Sequence, residues 1–316
     1  MDRIKESTHQ IMPETAALRQ IPGRPGRGLG SNTNNAAVGT LARLGFTRIE
    51  VCLGRHRPYH DMLSGIFADL EEAEIHGMAY TIHLPLCLYD WFPFDYLDGY
   101  YLDPDPQKRA LAFRFLEENL RQLTQRYKPD YYVIHFPGIY RNAYLGLDFQ
   151  GILHESLEKL QSLAEHFGTI LALEYFGSNQ NFNRPEQWVE ALTGYSRLAP
   201  LLDTGHLYFS CLMNGIDFDQ AIQQLGPHCV GFHIWTVQGT EYYGNSHFYR
   251  QYHHVVPHPG QLRAEGWAFE PGEVYRKLRT FDAPLVVEAS SLFGGPDYYF
   301  EGLRYAAACY LGGDCE

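Results

Sequence analysis

The sequence predicts a single (β/α)8 TIM barrel, and three observations carry that prediction. From Gly28 onward, short apolar runs alternate with longer segments of helical period, and with a weak first strand there are eight such units. The short runs read as continuously apolar, the pattern of strands buried on both faces of a parallel sheet. The chain's 316 residues suit one such barrel, and no GxGxxG or GxxxxGKS/T follows a strand, so an open nucleotide-binding sheet lacks its signature.

Residues 1–27, with PGRPGR at their end, are polar and rich in Pro and Gly. They read as an N-terminal extension, with the barrel expected over 28–316. GLGSN supplies the weak first strand, and RIEVCLG the second, followed by a helix around DMLSGIFADLEEAEIHG. YTIHLPL is the third strand, with a helix around KRALAFRFLEENLRQLTQRY; YYVIHFPG is the fourth, with a helix around ILHESLEKLQSLAEHFG. ILALEYFG precedes a helix around PEQWVEALTGYSRL, APLLDTGH is the sixth strand, and CVGFHIWTV the seventh, before a helix around EVYRKLRTF. APLVVEAS and a helix around YYFEGLRYAAACYLG close the series. Two connections are long and aromatic: LYDWFPFDYLDGYYLDPDP after strand 3, and QGTEYYGNSHFYRQYHHVVPHPGQ after strand 7. Long loops in compact domains are usually functional. These would stack on a ligand, pack the insert, or form the interface of a homo-oligomer.

A formal charge of −12 opposes non-specific attraction to nucleic acid or anionic lipid. No apolar run is long enough to cross a membrane, and MDRIKESTHQ lacks the order of a signal peptide. A soluble, cytoplasmic protein is the expectation. The six cysteines are scattered without a CxxC pair and are expected to be reduced, packed thiols.

The 15 histidines are more informative, because several end apolar runs. The strand ends carry His83 (TIHLP), His135 (VIHFP), Glu174 (ALEYF), Asp203 and His206 (LLDTGH), His233 (GFHIW) and Glu288 (VVEAS). A single His at a strand end is usually a hydrogen-bonded core residue, and a single Asp or Glu usually caps the next helix. Six successive strands delivering such groups to one rim call for a shared cause, since a buried lone carboxylate is costly. A cation is that cause. His76, His154, His166 and His228, with polar neighbours on helices or helix ends, read as surface residues.

In their order along the chain, LALEYF, LLDTGH, GFHIW and VVEAS resemble the xylose-isomerase-like barrels, which include sugar isomerases and epimerases and metal-dependent apurinic endonucleases. The resemblance runs from about Gly28 to the C-terminus. It implies a divalent ion (Mn²⁺, Mg²⁺, Co²⁺ or Zn²⁺) held by Glu174, Asp203, His233 and Glu288. It also implies that Glu174 and Glu288 remove and return a proton on opposite faces of a carbon beside a carbonyl, with a small sugar-like molecule as substrate. His83, His135, His206, His254 and His258 are then expected on the substrate side, together with Trp235 and stacking rings from Trp91, Phe92, Tyr242 or Tyr243 in the aromatic loops.

The endonuclease alternative uses three zinc ions. His83, His135 and His206 fit it, but in HHVVPHPG His254 stands at that group's Asp position and Val256 at its His position. The acidic, tyrosine-rich loops also oppose a nucleic-acid partner. A lyase, a dehydratase and a non-catalytic binder share the same rim, while a Schiff-base aldolase lacks its strand-end lysine.

Overall fold

The computed structural model describes residues 21–54, 59–137, 144, 146–239 and 254–312. Eight parallel strands close into a barrel in sequence order, each hydrogen-bonded to the next and β8 to β1. They are β1 (Leu29–Asn32), β2 (Arg48–Val51), β3 (Ala79–His83), β4 (Tyr132–Phe136), β5 (Leu171–Tyr175), β6 (Leu198–Asp203), β7 (Gly231–Ile234) and β8 (Leu285–Val287). Around them lie α1 (Val38–Arg43), α2 (Tyr59–Ile75), α3 (Pro106–Leu123), α4 (Phe149–Phe167), α5 (Pro185–Leu192), α6 (Thr204–Asn214), α7 (Phe218–Leu225), α8 (Pro271–Leu278) and α9 (Gly295–Leu311).

Helix limits follow local chemistry. Asp105, Asp148, Asp203 and Asp217 cap α3, α4, α6 and α7 by accepting from backbone N–H groups of the first turn. Left-handed Gly168 and Gly215 end α4 and α6. Two helices, α6 and α7, occupy the stretch between strands 6 and 7, where the sequence suggested none by name. The fifth helix stops at Leu192, short of TGYSRL, because Gly194 takes a positive φ of 112°.

The barrel interior has two layers, set by the period-2 alternation of strands. Tyr131-Val133-His135, Ile170-Ala172-Glu174 and Ala199-Leu201-Asp203 are alternate residues that share the inner face. Their lower members form a small apolar core of their own, separate from the larger core between strands and helices. Arg48 fills the room left by Gly30, whose missing Cβ would lie 2.5 Å from Arg48 Cγ, and Tyr131 fills the room left by Gly231. Arg48 pairs with Asp130 at 2.8 Å. The upper members carry the ionisable groups.

The described part of the expected extension, 21–27, is docked: Ile21 packs on the interior apolar core, and Arg24 Nη2 donates to Cys229 O at 2.5 Å. The aromatic loop after β3 packs on α3, with Phe92 stacked on Phe115 at 4.2 Å between centroids. Both ends of the insertion after β7 are tied to the frame: Thr236 bridges Val255, Gln238 bridges Trp267, and Val255 bridges Ser290. No described helix is long and apolar enough to cross a membrane. Cys52, Cys87, Cys211 and Cys229 are free thiols, as expected, whereas Cys309 on α9 is disulfide-bonded. Sequence spacing did not reveal that bond because pairing depends on Cβ proximity in the fold.

Leu201 is fully buried directly beneath Asp203 on the inner face. Leu201→Ala should lower unfolding stability by about 2–5 kcal/mol, measured as a shifted urea midpoint with an unchanged m-value.

Candidate metal centre

The upper layer brings together Glu50 from β2, His83 from β3, His135 from β4, Glu174 from β5, Asp203 from β6, His233 from β7 and Glu288 just beyond β8. Glu50, Asp203 and His233 are 0 % exposed and Glu174 is 1 % exposed. Ligand atoms of Glu174, Asp203, His233 and Glu288 all lie within 4.8 Å of one another, and those of His83, Glu174 and His233 do likewise. Either group could hold a cation.

His233 is the centre of the arrangement. Its Nδ1 lies 3.1 Å from Glu288 Oε2, 3.3 Å from Glu174 Oε1 and 3.9 Å from Asp203 Oδ2. Its Nε2 lies 3.1 Å from Glu50, whose Oε2 accepts from Thr81 Oγ1 at 3.0 Å. Asp203 Oδ1 accepts from the His206 backbone N–H at 2.7 Å, and Oδ2 accepts from Trp235 Nε1 at 2.6 Å. Each oxygen keeps a lone pair beyond the one so used. Glu174 Oε2 is 3.2 Å from Nε2 of both His83 and His135.

The electrostatics follow from crowding these groups out of water. Burial would raise Glu174, but hydrogen bonds from His233 and His83 and the charge of the neighbouring imidazoles hold it well below the usual carboxylate range. Burial likewise opposes ionisation of Glu288, and His254 and His233 outweigh it, leaving Glu288 at about 2. Asp203 goes the other way: burial and the charges of Glu174 and Glu288 push it well above the ordinary value. Burial disfavours protonated His233, yet Glu50, Glu288 and Glu174 together raise it well above the histidine range. His83, opposed by burial but paired with Glu174, rises to about 9; its Nδ1 faces Leu84 O and its Nε2 faces Glu174, acceptors on both sides. His206 is driven down to about 3 by burial and stays neutral.

These residues suit a divalent cation. Glu288 Oε2 is buried against His233 Nδ1 at 3.1 Å, and Asp203 is destabilised as an anion by the two glutamates that share its site. Three carboxylates and one imidazole form the oxygen-rich set that such cations take.

The sequence matches the family model of xylose isomerase-like TIM barrels over residues 38–309. The chain belongs to that family. A search of curated protein sequences finds no match. Among solved structures, the chain is similar to a D-psicose 3-epimerase determined in the presence of D-fructose, at 18% identity and TM-score 0.56, over 90% of this chain and 100% of that one. It is similar to a D-tagatose 3-epimerase-like protein at 15% identity and TM-score 0.59, over 90% and 98%. The probable 3-DHS dehydratase AsbF of petrobactin synthesis from Bacillus anthracis follows at 16% identity and TM-score 0.55, over 91% and 100%. At these identities the likeness is one of fold.

Within this xylose isomerase-like barrel, the sequence-predicted residues divide. Glu174, Asp203, His233 and Glu288 meet, with His83, His135 and His206 around them; His206 sits in the first turn of α6, its ring 3.9 Å from that of Phe176. His254 also reaches the cluster: its backbone takes a φ of 54°, its ring stacks on Trp235 at 4.4 Å, and its Nδ1 lies 2.7 Å from Glu288 O.

Three expected substrate contacts are corrected. Trp235 is fully buried, with its indole N–H on Asp203, so it braces that carboxylate and offers no free face to a sugar. Trp91 is turned onto α3, under the guanidinium of Arg114 at 4.1 Å and near Phe115. His258 stacks on Tyr298 and lies 3.3 Å from Glu301, turned away toward α9. Tyr242 and Tyr243, expected as stacking rings, lie outside the described residues.

Glu50 was missed. A charged residue inside the apolar run RIEV was the available signal, but the run continues past it and the strand ends drew the reading. Gly205 is required by close packing: a Cβ there would lie 2.3 Å from the Trp235 ring. Gly205→Ala should therefore displace the indole that holds Asp203. The expected cost is about 1–3 kcal/mol, visible as a lower thermal midpoint and as a change in Trp fluorescence.

Proposed function

We propose that this barrel is a cation-dependent epimerase or isomerase of polyhydroxylated carbonyl compounds, working by proton transfer at the carbon beside the carbonyl. The observation that carries the reading is the placement of Glu174 and Glu288. They flank His233 Nδ1 at 3.3 and 3.1 Å, come from strands three apart, and are both held as carboxylates. An ionised carboxylate on one face can take the proton of a carbon, and the second, once it has picked up a proton from solvent or a substrate hydroxyl, can deliver it to the opposite face. Glu174, Asp203, His233 and Glu288 would hold the cation. When bound there, a divalent cation supplies Lewis acidity toward a substrate carbonyl.

The chain's own residues do the rest. His206, neutral, is a hydrogen-bond partner for a substrate hydroxyl. His83, charged, steadies Glu174, while Asp203 is kept in place by the α6 N-terminus and Trp235. The sugar epimerases among the similar structures support this reading. The three-zinc endonuclease arrangement finds less support: Val256, at its His position, is fully buried against Gly302, and His258 faces Glu301.

Mn²⁺ titration should show about one ion per chain. His233 and Asp203 are both raised, so ion binding should release protons and tighten as pH rises. Calorimetry in buffers of different ionisation enthalpy measures this, and pH-independent binding would count against His233 as ligand. With a ketose panel in deuterated water, the metal-loaded protein should label the carbon beside the carbonyl. Glu288→Gln should cut that exchange by about 10²–10⁴. Labelling accompanied by loss of water would instead identify a dehydratase.

A further inference from the structure

One buried carboxylate of the cluster is left idle by this reaction. Glu50 lies within β2, wholly inaccessible, and faces not the converging ligand atoms but the far nitrogen of His233, Nε2, at 3.1 Å. Thr81 Oγ1 donates to Glu50 Oε2 at 3.0 Å and fixes the carboxylate's orientation. A carboxylate only accepts, so Nε2 carries a hydrogen and donates it. Once the ring gives up its second proton to a cation, the neutral imidazole that keeps its hydrogen on Nε2 has its lone pair on Nδ1. That is the atom surrounded by Glu288, Glu174 and Asp203.

Left to those three carboxylates, the neutral ring would place its single hydrogen on Nδ1, pointing it at the cation's position. Glu50 is the acceptor that pulls from the opposite side. We propose that Glu50 is a positioning residue that holds His233 in its Nε2–H form and so makes Nδ1 the nitrogen ligand. The inference rests on the cation-site reading above and adds a second carboxylate layer behind it, of the kind that raises ligand basicity and fixes ring orientation. Thr81 is the next link outward. The chain of contacts runs Thr81, Glu50, His233, ligand position, across β3, β2 and β7.

The test compares Mn²⁺ affinity, read from the free-ion electron paramagnetic resonance signal, in the full-length wild type and in Glu50→Gln, Glu50→Leu and Thr81→Val, each checked for folding by circular dichroism. Gln keeps an acceptor oxygen and should stay within several-fold of wild type. Leu removes the acceptor and should bind about 10–100-fold more weakly, and Thr81→Val should fall between them. Independently, ¹⁵N-histidine NMR of the Mg²⁺-loaded wild type should show His233 Nε2 bearing a hydrogen, a result available even if Glu50→Leu does not fold. Wild-type affinity in a folded Leu variant, equal losses in Gln and Leu, or a cation on Nε2 would each overturn the proposal while leaving the cation site standing. A wild type that binds no Mn²⁺ would overturn the cation site and the proposal together.

Discussion

Four carboxylates and a ring of imidazoles share one layer inside the barrel, and their mutual desolvation is the constraint on which the rest depends. No single strand could carry such a residue at acceptable cost. Closing eight strands turns separate liabilities into one polar layer, because each group's partner arrives from a neighbouring strand. The pKa shifts record the balance: Glu174 and Glu288 are stabilised as anions by imidazoles, while Asp203 is pushed the other way by those same glutamates. A divalent cation would relieve the remaining conflict.

The lower layer makes this possible. The residues two positions before the polar ones, such as Val133, Ala172 and Leu201, are apolar and buried, so the ionisable groups stand on a packed floor. Behind them, Trp235 and Thr204 form a second set of ties: Trp235 donates to Asp203, and Thr204 Oγ1 donates to Trp235 O at 2.9 Å. Orientation of the ligand atoms thus comes from the strands and the start of α6.

Much of this was legible in the sequence. In a sheet buried on both faces, an ionisable residue at the end of an apolar run is conspicuous, which is why Glu174, Asp203, His233 and Glu288 could be read out together. Glu50 hid because VCLG continues the run beyond it. Trp235 gave no sign of its role, since an indole in an apolar stretch looks the same whether its N–H meets a carboxylate or a substrate. His254 and His258 stand four residues apart in similar company, and only the backbone conformation at His254 and the stacking of His258 on Tyr298 separate the rim residue from the surface one. The helix α6 was obscured by Thr-Gly at its start, poor helix formers that Asp203 rescues by capping.

The insertion that follows β7 leaves and rejoins the frame through paired backbone bridges, Thr236 with Val255 and Gln238 with Trp267. His254 stands immediately beside one of these seams, anchored by its own carbonyl accepting from Ser290 N at 2.8 Å. The carboxylate cluster and His254 thus stand on the barrel frame and at its seams. The relative positions of these groups are therefore fixed by strand pairing and by the two bridges, each group being held from more than one element.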